Sequence, residues 1–374
     1  MKRVCYIFPV SHHYRRPFHE KLREILRQSG VDYTVIYCDP LEENRKKKDT
    51  VEIDWGIKVP LSVVKGGLWY QHALRASKGF DLAIVQQENK LLLNYILILL
   101  RGLRRQKIGY FGHGRNFQSR NPDGIGERFK RFWATKTDWW FGYTDETRRH
   151  IETLGYPANQ ISVFNNSVDT TQLRQQVAAV DEDRLAGLRR QFGIGSGPLG
   201  VFVGGIYPDK RMEFLVESAD RIRSRVPDFE CVIIGGGSDL PLIQSLAETR
   251  PWIHVLGPRF GQEKVDLMCM GHVFLMPGLM GLAILDAGVT GLPIATTAFP
   301  WHSPEIAYLE PGVNGLLVQD WKNPLAYGDA VADLLLEPER RSRMADEARA
   351  MADRYSIEQM AQRFATGVLK ALET

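Results

Sequence analysis

The sequence predicts an α/β protein made of two Rossmann-like, doubly wound parallel-sheet domains facing a central cleft. Three observations carry that expectation. At 374 residues the chain is longer than one core usually grows. Short apolar runs alternate with helical patterns along its length, as in a parallel sheet covered by helices on both faces. The series also restarts after the midpoint, so loops at the carboxyl ends of two separate sheets are expected to line the cleft.

In the first half, Val4–Val10, Tyr33–Tyr37, Leu82–Val85, Ile108–Phe111 and Trp139–Tyr143 read as buried strands, with helices such as Phe18–Leu26 and Leu91–Leu103 between them. The run Leu91–Leu100 is interrupted by Asn94, ends at Arg101, and has about half the length of a bilayer span, so it reads as a buried helix. The segment Asp169–Gly197 combines a charged helix with a Gly-Ser-Gly-Pro stretch that could carry the linker. Beyond it, Gly200–Val203, Cys231–Ile234, His254–Leu256, Val273–Met276 and Ile294–Thr297 read as the second set of strands. From Ile357 onward Met360, Phe364, Val368 and Leu372 recur at helical spacing. The resulting division is residues 1–168, residues 169–356, and a last helix over 357–374.

Composition narrows the class. A hydrophobic share of 44% and a charged share of 25% are those of a folded globular protein. Four widely spaced cysteines (Cys5, Cys38, Cys231, Cys269) indicate neither a metal site nor a disulfide framework, which fits a reducing cytoplasm. The apolar run after Met1-Lys2-Arg3 is short, broken by Pro9 and without a small-residue cleavage site, so it reads as a first strand and not as a leader. The net charge of +4 hides an asymmetry: residues 1–170 hold 28 Lys+Arg against 18 Asp+Glu, and residues 171–374 hold 20 against 26. The first half is thus the one expected to meet an anionic partner, such as a lipid-diphosphate acceptor or an acidic membrane face, with drift in surface charge as the alternative. Lys46-Lys47-Lys48 marks an exposed loop.

Four loops concentrate chemistry. Val203-Gly204-Gly205 ends a strand ahead of Lys210-Arg211, a glycine turn that lets backbone approach phosphate with cations beside it. Pro277-Gly278 leads to a helix opening near Gly281-Leu282, with Asp286 one turn in and Gly291-Leu292-Pro293 at its end; helix-start N–H groups suit a diphosphate, and the carboxylate suits ribose hydroxyls. Phe111-Gly112-His113-Gly114-Arg115 presents an imidazole at a backbone turn. Ser11-His12-His13-Tyr14-Arg15-Arg16 follows the first strand, where two histidines and two arginines suit an anionic acceptor or donor phosphates. Plainer readings are an ordinary βα turn with a solvated Lys210-Arg211 pair, a structural role for His113, and a solvated surface loop at 11–17. Gly235-Gly236-Gly237 fails the dinucleotide fingerprint on spacing and reads as a turn near the nucleotide.

In this order the motifs resemble retaining GT-B glycosyltransferases of family 4, the glycosyl transferases group 1. Such enzymes carry two glutamates with seven residues between them; here Asp286 takes the second position and Gly278, without a carboxylate, the first. They carry an arginine and a lysine after the first strand of the donor domain; Lys210 matches, Gly205 stands at the arginine position, and Arg211 is a substitute. The resemblance extends to Asn166-Ser167-Val168-Asp169 as a hinge, Glu305 in Pro-Glu-Ile as a brace of the donor loop, Asn314-Gly315-Leu316-Leu317-Val318, and Arg259 near the base. It implies His113 and Lys210 as catalytic residues, His113 bonding a sugar hydroxyl or the substrate. Gly204, Gly205, Lys210, Arg211, Arg259, Gly278, Gly281, Leu282, Asp286 and Glu305 would form the donor site, and His12, His13, Arg15, Arg16 and Arg115 the acceptor or phosphate loop. The implied reaction moves a sugar from a UDP- or GDP-sugar to a saccharide or lipid-linked acceptor in polysaccharide or lipopolysaccharide assembly, without metal or other cofactor and without nucleic acid. It would take place in the cytoplasm, with possible peripheral attachment of the protein to the membrane. The last helix would cross back to the first domain. On this reading Gly278→Glu alters sugar selectivity more than nucleotide affinity. A hydrolysing nucleotide-sugar epimerase, and a catalytically silent nucleotide-sugar-binding relative prompted by Gly278 and Gly205, are the alternatives.

Overall fold

Side chains alternate across a strand, and the first strand uses both faces. In β1 (Lys2–Phe8), Val4, Tyr6 and Phe8 enter one core while Cys5 and Ile7 enter another. That two-sided burial fixes β1 as a central strand with helices above and below. The computed structural model describes residues 1–39, 50–64, 66–115 and 124–374, and the chain divides into two units: Met1–Asp169 with Ile357–Thr374, and Thr170–Ser356. The Lys46-Lys47-Lys48 run lies outside the described residues.

In the first unit β1 is joined by β2 (Val31–Cys38), β3 (Ile57–Val59), β6 (Leu82–Gln86), β7 (Lys107–Gly112), β8 (Trp139–Gly142) and β9 (Ile161–Val163) in the spatial order β3-β2-β1-β6-β7-β8-β9, every pair parallel. A small antiparallel hairpin, β4 (Leu61–Val64) and β5 (Leu68–Gln71), is inserted before β6. Between the sheet strands run α1 (Arg16–Gln28), α2 (Leu92–Arg104), α3 (Ile125–Ala134) and α4 (Asp145–Thr153). The strand order reverses between β1 and β6, which opens a crevice at their carboxyl ends.

The second unit repeats the scheme. Its helices α5 (Thr170–Ala178) and α6 (Glu182–Phe192) precede β10 (Leu199–Val203), and α7 (Met212–Arg225), β11 (Glu230–Ile234), α8 (Leu240–Ala247), β12 (Ile253–Gly257), α9 (Gly261–Cys269), β13 (Val273–Met276), α10 (Ala283–Thr290), β14 (Ile294–Thr297), β15 (Gly315–Val318), α11 (Pro324–Leu336) and α12 (Pro338–Arg354) follow. The sheet order is β12-β11-β10-β13-β14-β15, all parallel, with its reversal between β10 and β13. The last helix, α13 (Ile357–Glu373), belongs to the first unit, where Phe364 stacks on Phe141 at 4.3 Å and sits edge-on to Phe18 at 5.4 Å.

Two expectations need correction. Residues 169–197 are not a linker: Leu173, Val177 and Val180 pack with Val265, Val289 and Ala352, and Arg184 pairs with the fully buried Asp266, so the segment is built into the second unit. Helix α10 opens at Ala283, close to Gly281 as expected, and its first bond runs from Ile284 N–H to Gly281 O. Helix α2 is buried on one face only: Leu93, Leu97 and Ile98 enter the core while Leu99 and Leu103 face solvent.

Candidate functional site

In the second unit the loops after β10 and β13, the two strands flanking the reversal, are tied to each other. Residues Pro208–Lys210 form a 3-10 turn, and Arg211 closes it in the left-handed region at φ 57°. Leu279 N–H donates to Asp209 O at 2.8 Å, and the Lys210 ammonium donates back to Leu279 O. Gly278 permits this approach. A Cβ there would lie 2.7 Å from Lys210 C and 2.9 Å from Lys210 Cα, and closer still to Asp209 O, so no side chain fits without moving backbone. The position is therefore glycine for a steric reason, and the expectation that Gly278→Glu would mainly change sugar selectivity gives way: any side chain at 278 displaces the turn that carries Lys210.

Lys210 itself is buried, with no carboxylate within ion-pair distance of its ammonium among the described residues. Burial lowers its pKa to about 8, against which Asp209 pulls weakly upward. A buried cation held by one carbonyl retains N–H capacity for an anion. Arg211 is committed elsewhere. Its guanidinium donates to Trp321 O and lies over the rings of Phe214 at 4.0 Å and Trp321 at 5.0 Å, so it locks the turn and does not replace an arginine at position 205. At Gly205 a Cβ would meet only the movable Tyr207 ring, and at Gly204 it would make ordinary contacts with Met276, Phe202 and Lys210 at 3.5 to 3.9 Å. The Gly235-Gly236-Gly237 turn supports this loop from behind: Ile206 N–H donates to Gly236 O at 2.9 Å, and the positive φ at Gly235 and Gly237 brings their Cα atoms against the Gly204 and Ile206 carbonyls.

The loop after β13 has a second brace that sequence reading missed. His302 Nδ1 accepts from Met280 N–H at 2.9 Å, and Nε2, 2.8 Å from Thr297 O, donates to that carbonyl. This double use fixes the neutral Nε2–H tautomer, and burial lowers the pKa accordingly. Ser303 N–H adds a bond to Met280 O. Its signal in the sequence is the His302-Ser303 pair directly before Pro304-Glu305-Ile306. Glu305 is buried in the following 3-10 turn. Gly281 and Leu282 lead into α10, and the N–H groups of Leu282 and Ala283 precede its first helical bond. Asp286 pairs with Lys264 at 2.8 Å. Arg259 is turned toward Glu263 at 3.2 Å and the Phe192 ring at 5.5 Å.

In the first unit a cavity of about 320 Å³ opens at the β1/β6 reversal. Its wall includes His12, Arg15, Trp69, Glu88, Lys90 and Tyr143. Arg15 donates to Asn166 Oδ1 at 2.7 Å and to the Tyr143 hydroxyl at 3.2 Å, both uncharged, and no carboxylate pairs with it among the described residues. His113 stacks on the other part of the same system, with its ring 3.9 Å from that of Tyr143, and burial followed by Arg15 and Lys130 lowers its pKa to about 4. Arg15 and His113, 98 positions apart in sequence, thus meet around Tyr143. The other members of the predicted loop lie outside the cavity wall: His13 is exposed, Arg16 pairs with Glu20 at 2.6 Å, and Arg115 pairs with Glu146 at 2.7 Å. Trp69 and Lys90, whose ammonium sits 3.8 Å from the Trp69 ring centre, were not anticipated, because the inserted hairpin that carries Trp69 has no motif. Among the described residues no three His, Cys, Asp or Glu side chains gather as a metal site.

Comparison with known proteins follows this division. Residues 197–337 match the family described as Glycosyl transferases group 1. The alpha-D-kanosaminyltransferase of Streptomyces kanamyceticus is 29% identical over 190 residues, 47% of this chain and 46% of that protein. The GDP-mannose-dependent alpha-(1-6)-phosphatidylinositol monomannoside mannosyltransferase of Mycolicibacterium smegmatis is 29% identical over 219 residues, 55% of each chain. The chain thus spans about half the length of these curated relatives. The structure of Anabaena Alr3699/HepE in complex with UDP superposes with a TM-score of 0.71 at 15% identity, covering 99% of this chain and 100% of that one. The fold is GT-B.

Proposed function

We propose that the protein is a retaining glycosyltransferase that moves a sugar from a nucleoside diphosphate donor, UDP- or GDP-linked, to a hydroxyl of a saccharide or lipid-linked acceptor. The observation that carries this reading is the buried Lys210, tied to the Gly278–Leu282 loop at the strand-order reversal of the segment that matches a glycosyltransferase family. That reversal is where a parallel sheet offers a ligand crevice, and a preorganised cation there stabilises charge developing on a departing diphosphate. The UDP bound by the Anabaena protein and the donors named for the relatives support a nucleotide-sugar.

In the proposed reaction the bond between the anomeric carbon and the diphosphate oxygen breaks, its electron pair leaving with the diphosphate. The acceptor oxygen bonds to that carbon on the same face and its proton passes to the leaving phosphate. Lys210 and the N–H groups of Leu282 and Ala283 would hold the diphosphate. His113, neutral above pH of about 4, would accept from or donate to a sugar hydroxyl. Arg15 faces the cavity without a carboxylate partner, so an acceptor bearing a phosphate or carboxylate suits it, and Trp69 offers an apolar platform for a sugar ring. No metal is assigned a role.

The test is product analysis after incubation with UDP- and GDP-sugars, with and without bacterial glycolipid extracts. Acceptor-dependent transfer that drops in both His113→Ala and Lys210→Ala supports the reading; undiminished transfer refutes the site. Gly205 and Gly278 favour one competing reading, a silent sugar-nucleotide binder, which binding without turnover would establish. An isomerised donor sugar formed without acceptor would instead establish an epimerase.

A further inference from the structure

The outer face of α2 and α3 is built against the usual rule for a helix pair on a globular domain. In α3 the only buried side chain is Ala134. Ile125, Phe129 and Phe132 fall at i, i+4 and i+7 on the opposite side, with Ile125 87% and Phe132 60% exposed. In α2, Leu99 and Leu103 stand one turn apart and are 72% and 87% exposed. Tyr95 of α2 joins the two helices, its ring 5.3 Å from Phe129 and 4.8 Å from Trp133. Five exposed apolar side chains therefore stand on two helices that Tyr95 joins, which isolated surface leucines do not explain.

The charge around them has one sign. Residues 92–107 carry four Lys+Arg and residues 124–136 four more, against one acidic residue, Glu127. Arg105, Arg128 and Lys136 are exposed and have no carboxylate partner among the described residues, and the Lys136 ammonium lies 5.1 Å from the Phe132 ring centre. A second copy of this face would set cation against cation. An anionic lipid bilayer satisfies both features at once: aromatic and aliphatic side chains enter the headgroup boundary while arginine and lysine meet lipid phosphates. No helix of the described residues is long and apolar enough to cross a membrane, so such contact would be made by this face from one side.

We infer that the α2–α3 face docks the protein on the surface of an anionic membrane. The inference stands apart from the transfer reaction, because attachment is read without donor or turnover. The experiment is co-sedimentation of the whole chain with vesicles of phosphatidylcholine and with vesicles of equimolar phosphatidylcholine and phosphatidylglycerol. The mixed vesicles should bind at least about tenfold more strongly, and less so as salt is raised. Ile125→Ser combined with Phe132→Ser should lower that partition by about tenfold or more, and Arg128→Glu by about tenfold. All three side chains are exposed, so the melting temperature should match the parent and separates lost docking from lost folding. Absence of binding to the mixed vesicles, equal binding to both compositions, or undiminished binding by the double variant overturns the inference. A dimer in sedimentation equilibrium that the double variant abolishes would assign the face to a second copy instead.

Discussion

Replacing Gly278 with alanine adds one methyl group where backbone already stands. The new Cβ would lie 2.7 Å from Lys210 C, whereas an ordinary contact begins at 3.4 Å, so the 208–211 turn must retreat by at least about 0.7 Å. That displacement strains the Leu279 N–H to Asp209 O bond and the Lys210 bond to Leu279 O. Losing two such bonds and overpacking the loop is expected to cost about 3 kcal/mol in the second unit. A unit of this size should then melt about 6 to 12 °C lower. Because Lys210 moves with the turn, affinity for a nucleoside diphosphate should fall by about 100-fold. Differential scanning fluorimetry and titration calorimetry with UDP and GDP give the two readouts. A Gly278→Ala protein that melts with the parent and binds nucleotide equally would refute the steric argument. So would a Gly278→Glu protein that keeps nucleotide affinity and changes only its choice of sugar.

Arg15→Leu removes the cation from the first-unit cavity, and the KM for an anionic acceptor should rise by about tenfold or more with donor affinity unchanged; an unchanged acceptor KM contradicts its role. His302→Phe leaves Met280 N–H without its acceptor, at a cost of about 1 to 3 kcal/mol, and should loosen donor binding by about tenfold; parent-like melting and binding would contradict the brace. Acid should destabilise the first unit. Burial holds the pKa of His19 near 3 and that of His113 near 4, both below the ordinary 6.5, so the unfolded chain binds protons that the folded one refuses. Stability is then full above about pH 6.5 and falls as the pH drops toward about 4, and His19→Phe should flatten that slope in melts recorded across the range. An equal slope in the variant would show that His19 contributes nothing to it.

Most strands of both sheets were legible because burial on two faces leaves near-continuous apolar runs, and β13 and β14 fall on the residues those runs mark. Shorter elements were not. β3, the β4–β5 hairpin and β9 are three or four residues long, with partly exposed faces, and leave no apolar run to find. Periodicity placed α2 but misjudged its outer face, since a run rich in leucine looks the same whether its far side is covered or bare.

At the site, residue type and loop position were readable and side-chain direction was not. Arg15 and His113 lie in the loops after β1 and β7 of the first unit, where they meet around Tyr143, and Lys210 lies in the loop after β10 of the second. Arg211, Arg16 and Arg115 stand beside these residues in sequence, and Arg259 follows β12, yet they turn to Trp321, Glu20, Glu146 and Glu263. Nothing in a single sequence tells a cation that faces a crevice from one that faces its neighbour. The meaning of Gly278 was hidden for the same reason, because the backbone that excludes a side chain there belongs to a turn nearly 70 positions earlier.

The most direct test of the account is titration of UDP and GDP into the parent protein and into Lys210→Met, which keeps the length of the side chain and removes its charge. The account predicts a saturable site for at least one nucleotide, weakened by about tenfold or more in Lys210→Met. In the parent, affinity should fall as the pH rises past about 8, where the buried ammonium gives up its proton. A parent that binds neither nucleotide, or a Lys210→Met protein that binds as tightly as the parent, would contradict it.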